Sequence, residues 1–126
     1  MSGNLTTYLE NKILDHCLGT ATFAKPAVYV GLFSVAPTDT DLGKEVIGNG
    51  YCRKKATFKI ANNGATSNAS NINFHEMPSI TTVAIGVFDS LTEGNMLLFG
   101  RLTLDKDTDD GDTLQIAKGE IEIEID

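Results

Sequence analysis

The sequence predicts an all-β protein, an antiparallel β-sandwich of about seven strands with one N-terminal α-helix. Apolar stretches rich in β-branched and aromatic residues alternate with turn-forming segments at the roughly ten-residue spacing typical of sandwiches. No helical pattern separates these stretches, as a βαβ architecture would require. Residues 120–125 alternate strictly between Glu and Ile, which indicates a strand buried on one face. The 126 residues fit a single domain, 1–126, with the helix in 1–19 and the strands in 27–126.

The helix is predicted over residues 4–18. Its apolar stripe recurs every four positions and consists of Leu5, Leu9, Ile13 and Cys17. Asn4 and Thr7 are both candidate N-caps, and Gly19 provides the left-handed residue that ends the helix. Because a helix this short is marginal alone, we expect it to dock on its own sheet or on a neighbouring subunit.

Seven strands are predicted, at 27–36, 51–60, around Ile72 and Phe74, and at 80–88, 95–104, 113–117 and 120–125. The long apolar stretch 80–88 is expected to be central. Segment 37–50 is the longest connection and is interpreted as a mobile segment or an interaction arm. The apolar faces of the strands predict a core of Val28, Val30, Leu32, Phe58, Ile72, Phe74, Val83, Ile85, Val87, Leu97, Phe99, Leu102, Ile116, Ile121, Ile123 and Ile125.

Charge and composition exclude several functional classes. The net charge is −7, but residues 1–62 carry +2 and residues 63–126 carry −9. An acidic half of this size argues against nucleic-acid binding, which needs a basic face. No apolar stretch approaches the roughly 20 residues of a membrane span, and no signal peptide is recognisable. We therefore expect neither a nucleic-acid nor a membrane partner, and folding in a cytoplasm.

No catalytic, cofactor or metal site is predicted. The acidic loop 105–112 has Asp at the first, third and fifth positions of a calcium loop, but lacks the Gly and Glu that such loops need at their sixth and twelfth positions. Calcium binding there stays an open alternative to a solvated turn with Gly111 at positive φ. The two cysteines, Cys17 and Cys52, are interpreted as small buried apolar residues. The protein is accordingly not expected to be an enzyme.

Several motifs resemble those of a known family. They are the segments 9–16 (LENKILDH), 29–32 (YVGL), 37–38 (PT), 43–46 (GKEV), 50–53 (GYCR), 86–89 (GVFD), 94–97 (GNML), 100–102 (GRL) and 111–112 (GD). In this order the sequence resembles small structural proteins of tailed bacteriophages, generally called phage tail-fibre proteins. The resemblance spans nearly the whole chain. Its motifs are structural rather than catalytic.

The resemblance implies a non-enzymatic structural protein of the virion, either tail-fibre or tail-associated or decorating the particle, and assembled in the bacterial host cytoplasm. It implies contacts with other phage virion proteins. From the helix and the last strand we expect a homo-oligomer as well, with a trimer the favoured form or an array on a larger particle. A capsid decoration (cement) protein is one alternative. A glycan- or receptor-binding β-sandwich module is another, although the chain has no Trp and only three Tyr to stack on a sugar.

Two candidate contact surfaces follow from the residues. The helix stripe, with Leu5, Leu9 and Ile13, has a tether long enough to reach a neighbouring subunit. The last strand presents an acidic face that a basic partner surface would receive. The acidic residues are Glu120, Glu122 and Glu124, and the basic ones are Arg53 and Lys55. Such exposed ion pairs are expected to set register rather than to supply affinity.

Overall fold

Ten strands and one helix make up the chain in a computed structural model that describes residues 4–38 and 40–125. The helix is α1 (Thr7–Cys17). The strands are β1 (Asn4–Leu5), β2 (Tyr29–Val35), β3 (Lys44–Glu45), β4 (Lys54–Lys55), β5 (Ala65–Ser67), β6 (Ile72–Met77), β7 (Ile80–Phe88), β8 (Met96–Thr108), β9 (Asp112–Ile116) and β10 (Glu122–Glu124). The all-β class with a single N-terminal helix is confirmed.

The main sheet has the order β1-β8-β7-β2-β3, and β4 also pairs with β2. All of its pairings are antiparallel. Strand β7 lies between β2 and β8, so the prediction that 80–88 forms a central strand is confirmed. The register places Val30 opposite Val87 and Leu32 opposite Ile85, which puts four buried aliphatic side chains on one face.

Two smaller antiparallel pairs, β6–β9 and β5–β10, supply the other side of the core. The buried face of the main sheet packs in one cluster with Phe74, Met77, Ile116 and Ile121, all of which are fully enclosed. A second, smaller cluster lies on the opposite face of the main sheet and contains Phe33, Ala84 and Phe88. Both faces of the central strands are therefore covered.

The helix begins later than predicted because the chain first makes a strand. Residues 4–5 pair with β8, and Thr6 rather than Asn4 or Thr7 is the N-cap. The Thr6 side chain accepts a hydrogen bond from the Leu9 N–H, as expected of an N-cap hydroxyl. The helix ends before Gly19, whose φ of 82° confirms the predicted left-handed residue.

The strand prediction fails most clearly at 51–60. Only Lys54–Lys55 form a strand there, Phe58 makes an isolated bridge to Asn68, and the side chains of Tyr51 and Arg53 hydrogen-bond to Leu32 and Glu45. Strands β1, β3 and β5 lie outside the predicted strands, and β3 lies in segment 37–50, which was interpreted as a connection. Strand β8 runs four residues further than the predicted 95–104, to Thr108.

Most of the predicted core is buried, with four exceptions. Val28, Phe58 and Val83 are only partly buried, and Ile125 is 56% exposed. Cys17 and Cys52 are both exposed, so their interpretation as buried residues was wrong. Buried apolar residues absent from the prediction are Phe33, Val46, Ala56, Met77, Ala84, Phe88, Leu98 and Leu114. Within residues 4–38 and 40–125, no helix is long and apolar enough to cross a membrane.

Candidate assembly surfaces

The start of the helix is fixed to the end of the main sheet. Asn4 and Leu5 pair with Phe99 and Leu98, and the Thr6 N–H donates to the Leu97 carbonyl over 3.0 Å. The Thr6 hydroxyl also lies 2.7 Å from the Met96 carbonyl oxygen. Three hydrophobic residues of this region pack against the core, namely Leu5, Tyr8 and Leu9. The first turn of α1 thus docks on its own chain, one of the two expected outcomes.

The apolar residues of the second half of the helix are not buried against the core. Leu14 is 56% exposed, Leu18 is 75% exposed and Cys17 is also exposed. Leu14 follows Leu9 by five positions, about 140° around a helix of 3.6 residues per turn, so it faces away from the surface on which Leu9 packs. We call Leu14, Cys17 and Leu18 the distal helix face. Of the predicted contact residues, Leu5 and Leu9 contact the core, and Ile13 is half-buried.

The turn after the helix is held by its own hydrogen bonds. The N–H groups of Thr20 and Ala21 donate to the Asp15 carbonyl, and the Phe23 N–H donates to the His16 Nδ1 over 3.1 Å. These bonds fold residues 19–23 back against the end of α1. The last turn of the helix is therefore braced locally even though the distal helix face is uncovered.

Arg53 is not available as an outward contact, contrary to the prediction. Its side chain is only 9% exposed and forms a two-pronged ion pair with Glu45, with both N–O distances 3.0 Å. Its Nη1 donates to the carbonyls of Ser90 and Glu93, and its guanidinium lies 3.5 Å from the centre of the Phe88 ring. Arg53 therefore joins β3 to the β7–β8 turn within one chain.

Tyr51 hydrogen-bonds to the edge of β2 between the residues that pair with β3 and those that pair with β4. Its hydroxyl accepts from the Leu32 N–H and donates to Glu45, both over 2.8 Å. Burial raises the pKa of the Tyr51 hydroxyl well above its ordinary value of 10.0, and the nearby Glu45 carboxylate raises it further. The proton consequently stays on Tyr51, where the hydrogen bond to Glu45 needs it.

The motifs that carry the family resemblance converge on this cluster. Glu45 comes from the segment 43–46, Tyr51 and Arg53 from 50–53, and Phe88 from 86–89. Arg53 donates hydrogen bonds to the turn between β7 and β8. The two ends of this turn are joined by the Asn95 N–H, which donates to Asp89 Oδ1 over 2.7 Å. Sequence reasoning missed the cluster as a unit, although the motif positions were the signal that could have found it.

Lys55, the other predicted basic residue, is exposed on β4. It lines a cleft of about 450 Å³ together with Lys25 and the half-buried Val28 and Phe58. The structure thus separates the predicted basic pair, since Arg53 points into the molecule and Lys55 faces solvent beside Lys25.

The predicted acidic face is present on the last strand. Glu122 and Glu124 are exposed, while the intervening Ile123 is 8% exposed. Glu120 differs from them, because its Oε2 lies 3.3 Å from Lys106 Nζ and its Oε1 accepts from the Ala117 N–H. The free acidic face consists of Glu122 and Glu124.

Asn68 holds the approach to this strand and was not singled out from the sequence. It is fully buried, its Oδ1 accepts from the Ile121 N–H over 2.9 Å, and its Nδ2 donates to the carbonyls of Ser70 and Ala117. Both ends of the amide are satisfied, so Asn68 fixes where residues 117–121 cross toward β5.

The acidic loop 105–112 spreads its carboxylates among separate partners. Asp107 accepts from the Thr81 hydroxyl, Asp110 from the Ser79 N–H, and Asp112 from the Asp109 N–H. Among the residues that the structure describes, no group of three or more His, Cys, Asp or Glu side chains is placed to hold a metal ion. Gly111 has the predicted positive φ, 84°.

A family model described as Podophage GP4 fiber I protein gp80 matches residues 4–124. The chain belongs to this gp80 fibre family. The match covers the helix, both layers of strands and β10. Among curated proteins, none matches the chain closely enough to show a relationship.

Membership of the gp80 fibre family makes the chain a phage fibre structural protein and a virion component, as the resemblance implied. The Arg53 cluster and the Asn68 hydrogen bonds stabilise the subunit from within. The distal helix face, the cleft beside Lys55 and the acidic face of β10 are exposed, as are isolated apolar side chains such as Leu42, Ile47, Ile60 and Leu104.

Proposed function

We propose that this member of the gp80 fibre family acts as a building block of the fibre through contacts between its own copies, with the distal helix face as the principal contact. One observation supports this proposal: the start of α1 is fixed to β8, while the apolar side chains at its end are exposed. A bare apolar face on a braced helix favours burial against another molecule. We further propose a trimer as the working assembly, attached to other virion proteins of the tail.

Charge on the distal helix face provides the test. Replacing Leu14 and Leu18 by Glu should leave the subunit folded, because both side chains are more than half exposed. The double variant should remain monomeric in sedimentation at concentrations where the natural chain associates. The matched control replaces Ile47 and Leu104 by Glu, two aliphatic residues outside the helix that are more exposed than Leu14 and Leu18 (81% and 78%), and should associate normally.

Incorporation into particles tests the same proposal in the virion. Deleting residues 1–18 should reduce incorporation, but it also removes β1 from β8, so the two-residue variant is the cleaner probe. Labelled subunits imaged on intact particles should lie on the tail. Label over the head would instead favour capsid decoration, and a chain that is monomeric at high concentration and absent from purified virions would contradict the proposal.

A further inference from the structure

The cleft beside Lys55 combines positive charge with an apolar floor. Lys25 and Lys55 line it, with Val28 and Phe58 half-buried between them. Within residues 4–38 and 40–125, neither lysine makes an ion pair. We call Lys25, Val28, Lys55 and Phe58 the basic cleft. A site of this kind suits an acidic segment that also carries an exposed apolar side chain.

The end of the chain presents such a segment. Glu122 and Glu124 are exposed on β10, and Ile125, which follows them, is 56% exposed. We call Glu122, Glu124 and Ile125 the acidic edge. In the described part of the chain, β10 pairs only with β5, so its other edge has no strand partner. The Ile125 N–H donates to the Gly64 carbonyl over 2.9 Å, which holds the edge in an extended form.

The charge on the acidic edge restricts what it can meet. Two copies of β10 placed side by side would bring glutamates against glutamates, which is unfavourable for directly opposed strand residues. A basic surface relieves that repulsion. The chain as a whole is divided in the same sense, with +2 on residues 1–62 and −9 on residues 63–126.

We propose that the basic cleft of one copy receives the acidic edge of a second copy, with Lys25 and Lys55 facing Glu122 and Glu124. This inference rests on the proposed assembly of copies and adds a second contact to it. Repeated head-to-tail, this contact between two different surfaces generates a ring, such as the proposed trimer, or a filament. The ion pairs set the register, while the cleft floor of Val28 and Phe58 contributes the apolar burial.

Reciprocal charge reversal tests the contact. One variant carries Lys25→Glu and Lys55→Glu, a second carries Glu122→Lys and Glu124→Lys, and a third carries all four changes. At about 10 mM ionic strength, where screening is weak, each two-residue variant should associate at least about threefold more weakly than the natural chain. The four-residue variant should recover association, because the opposite charges face each other again. Sedimentation velocity measures all three.

A matched control carries Lys44→Glu and Lys118→Glu, two exposed lysines outside the cleft that change the net charge as much as the cleft pair does. It should associate like the natural chain. Near 1 M ionic strength the differences should largely vanish. Circular dichroism confirms that each variant is folded before association is compared.

The outcomes separate this inference from the proposed function. If the natural chain associates through the distal helix face but the four-residue variant is no better than its two halves, the head-to-tail contact is wrong and the proposed function stands. A control that weakens association as much as the cleft variant also contradicts the contact. A natural chain that never associates overturns both.

Discussion

The guanidinium of Arg53 lies 3.5 Å from the centre of the Phe88 ring, on the face of the main sheet that points away from the larger core. Phe88 in turn stacks on Phe33, with ring centroids 6.1 Å apart. Close approach of these rings requires glycine beneath them, since a Cβ on Gly86 would come within 2.8 Å of the Phe33 ring. An arginine therefore closes a small aromatic cluster that lies outside the main core.

Removing Arg53 should be among the most destabilising changes in the chain. Arg53→Met leaves the carbonyls of Ser90 and Glu93 without this donor and leaves the Glu45 carboxylate with the Tyr51 hydroxyl but no ion-pair partner. The free energy of unfolding should fall by about 2 to 4 kcal/mol. This is at or slightly below the usual loss when one partner of a buried ion pair is removed, because Glu45 is partly exposed. Urea unfolding measures the loss. Lys55→Met, on an exposed lysine, should change stability by less than about 0.5 kcal/mol, and an equal loss there would contradict the assignment.

Tyr51 should make the protein less stable in strong alkali. Its pKa is raised in the folded state, so above its ordinary value of 10.0 the unfolded chain loses the proton while the folded chain keeps it. Stability should then fall with pH by up to about 1.4 kcal/mol per unit from this group. Unfolding followed between pH 9 and 11 (about one unit either side of that value) tests this.

Tyr51→Phe is the control for that pH dependence. It should lose the Tyr51 contribution to the alkaline slope. At neutral pH it should also be less stable by about 1 to 3 kcal/mol, because the Leu32 N–H loses its acceptor. An unchanged alkaline slope in this variant would show that other groups cause it.

Asn68 should be needed for the placement of the last strand. Asn68→Ala removes partners from the Ile121 N–H and from the Ser70 and Ala117 carbonyls, which should cost about 2 to 3 kcal/mol. Hydrogen exchange at Ile121 should accelerate more than exchange in β7. Asn73→Ala, on an exposed asparagine bonded to Gln115, should leave both measurements nearly unchanged.

Two isoleucines that the sequence alone assigns to the core should behave differently. Ile85 is fully buried and Ile125 is 56% exposed. Ile85→Ala should reduce the free energy of unfolding by about 2 to 5 kcal/mol, because it leaves a cavity in the core. Ile125→Ala should cost less than about 0.5 kcal/mol in the isolated subunit. A loss below about 1 kcal/mol at Ile85 would place that face of β7 in solvent.

Sequence reasoning succeeded where a single strand carries its own pattern. The apolar stretch that became β7 and the alternation around Ile121 and Ile123 both record burial within a few residues, so they were predicted correctly. The predicted start of α1 was wrong because the N-cap, Thr6, is fixed by hydrogen bonds to β8, which is about ninety residues away in the sequence. Ile125 was assigned to the core because it continues the Glu/Ile alternation, but β10 ends at Glu124 and the Ile125 side chain is exposed.

The remaining errors have a tertiary cause. Strands β3 and β4 contain two residues each, too few for any periodicity, and they exist because β2 offers them an edge. Arg53 was predicted to face outward because the strand predicted at 51–60 places it on the face opposite Phe58, a predicted core residue. Its burial depends on Glu45 and Phe88, which no local window contains. Of the helix residues predicted as a contact, Leu9 packs inward, and the exposed apolar side chains are Leu14 and Leu18 instead.

The attachment of Thr6 to Met96 and Leu97 sets an order of events during synthesis. A ribosome must make the first three-quarters of the chain before the strand that receives the helix start exists. Until then the helix has neither a fixed direction nor a support for Leu5 and Leu9. A chain that ends before Met96 therefore cannot hold the start of its helix as the finished chain does.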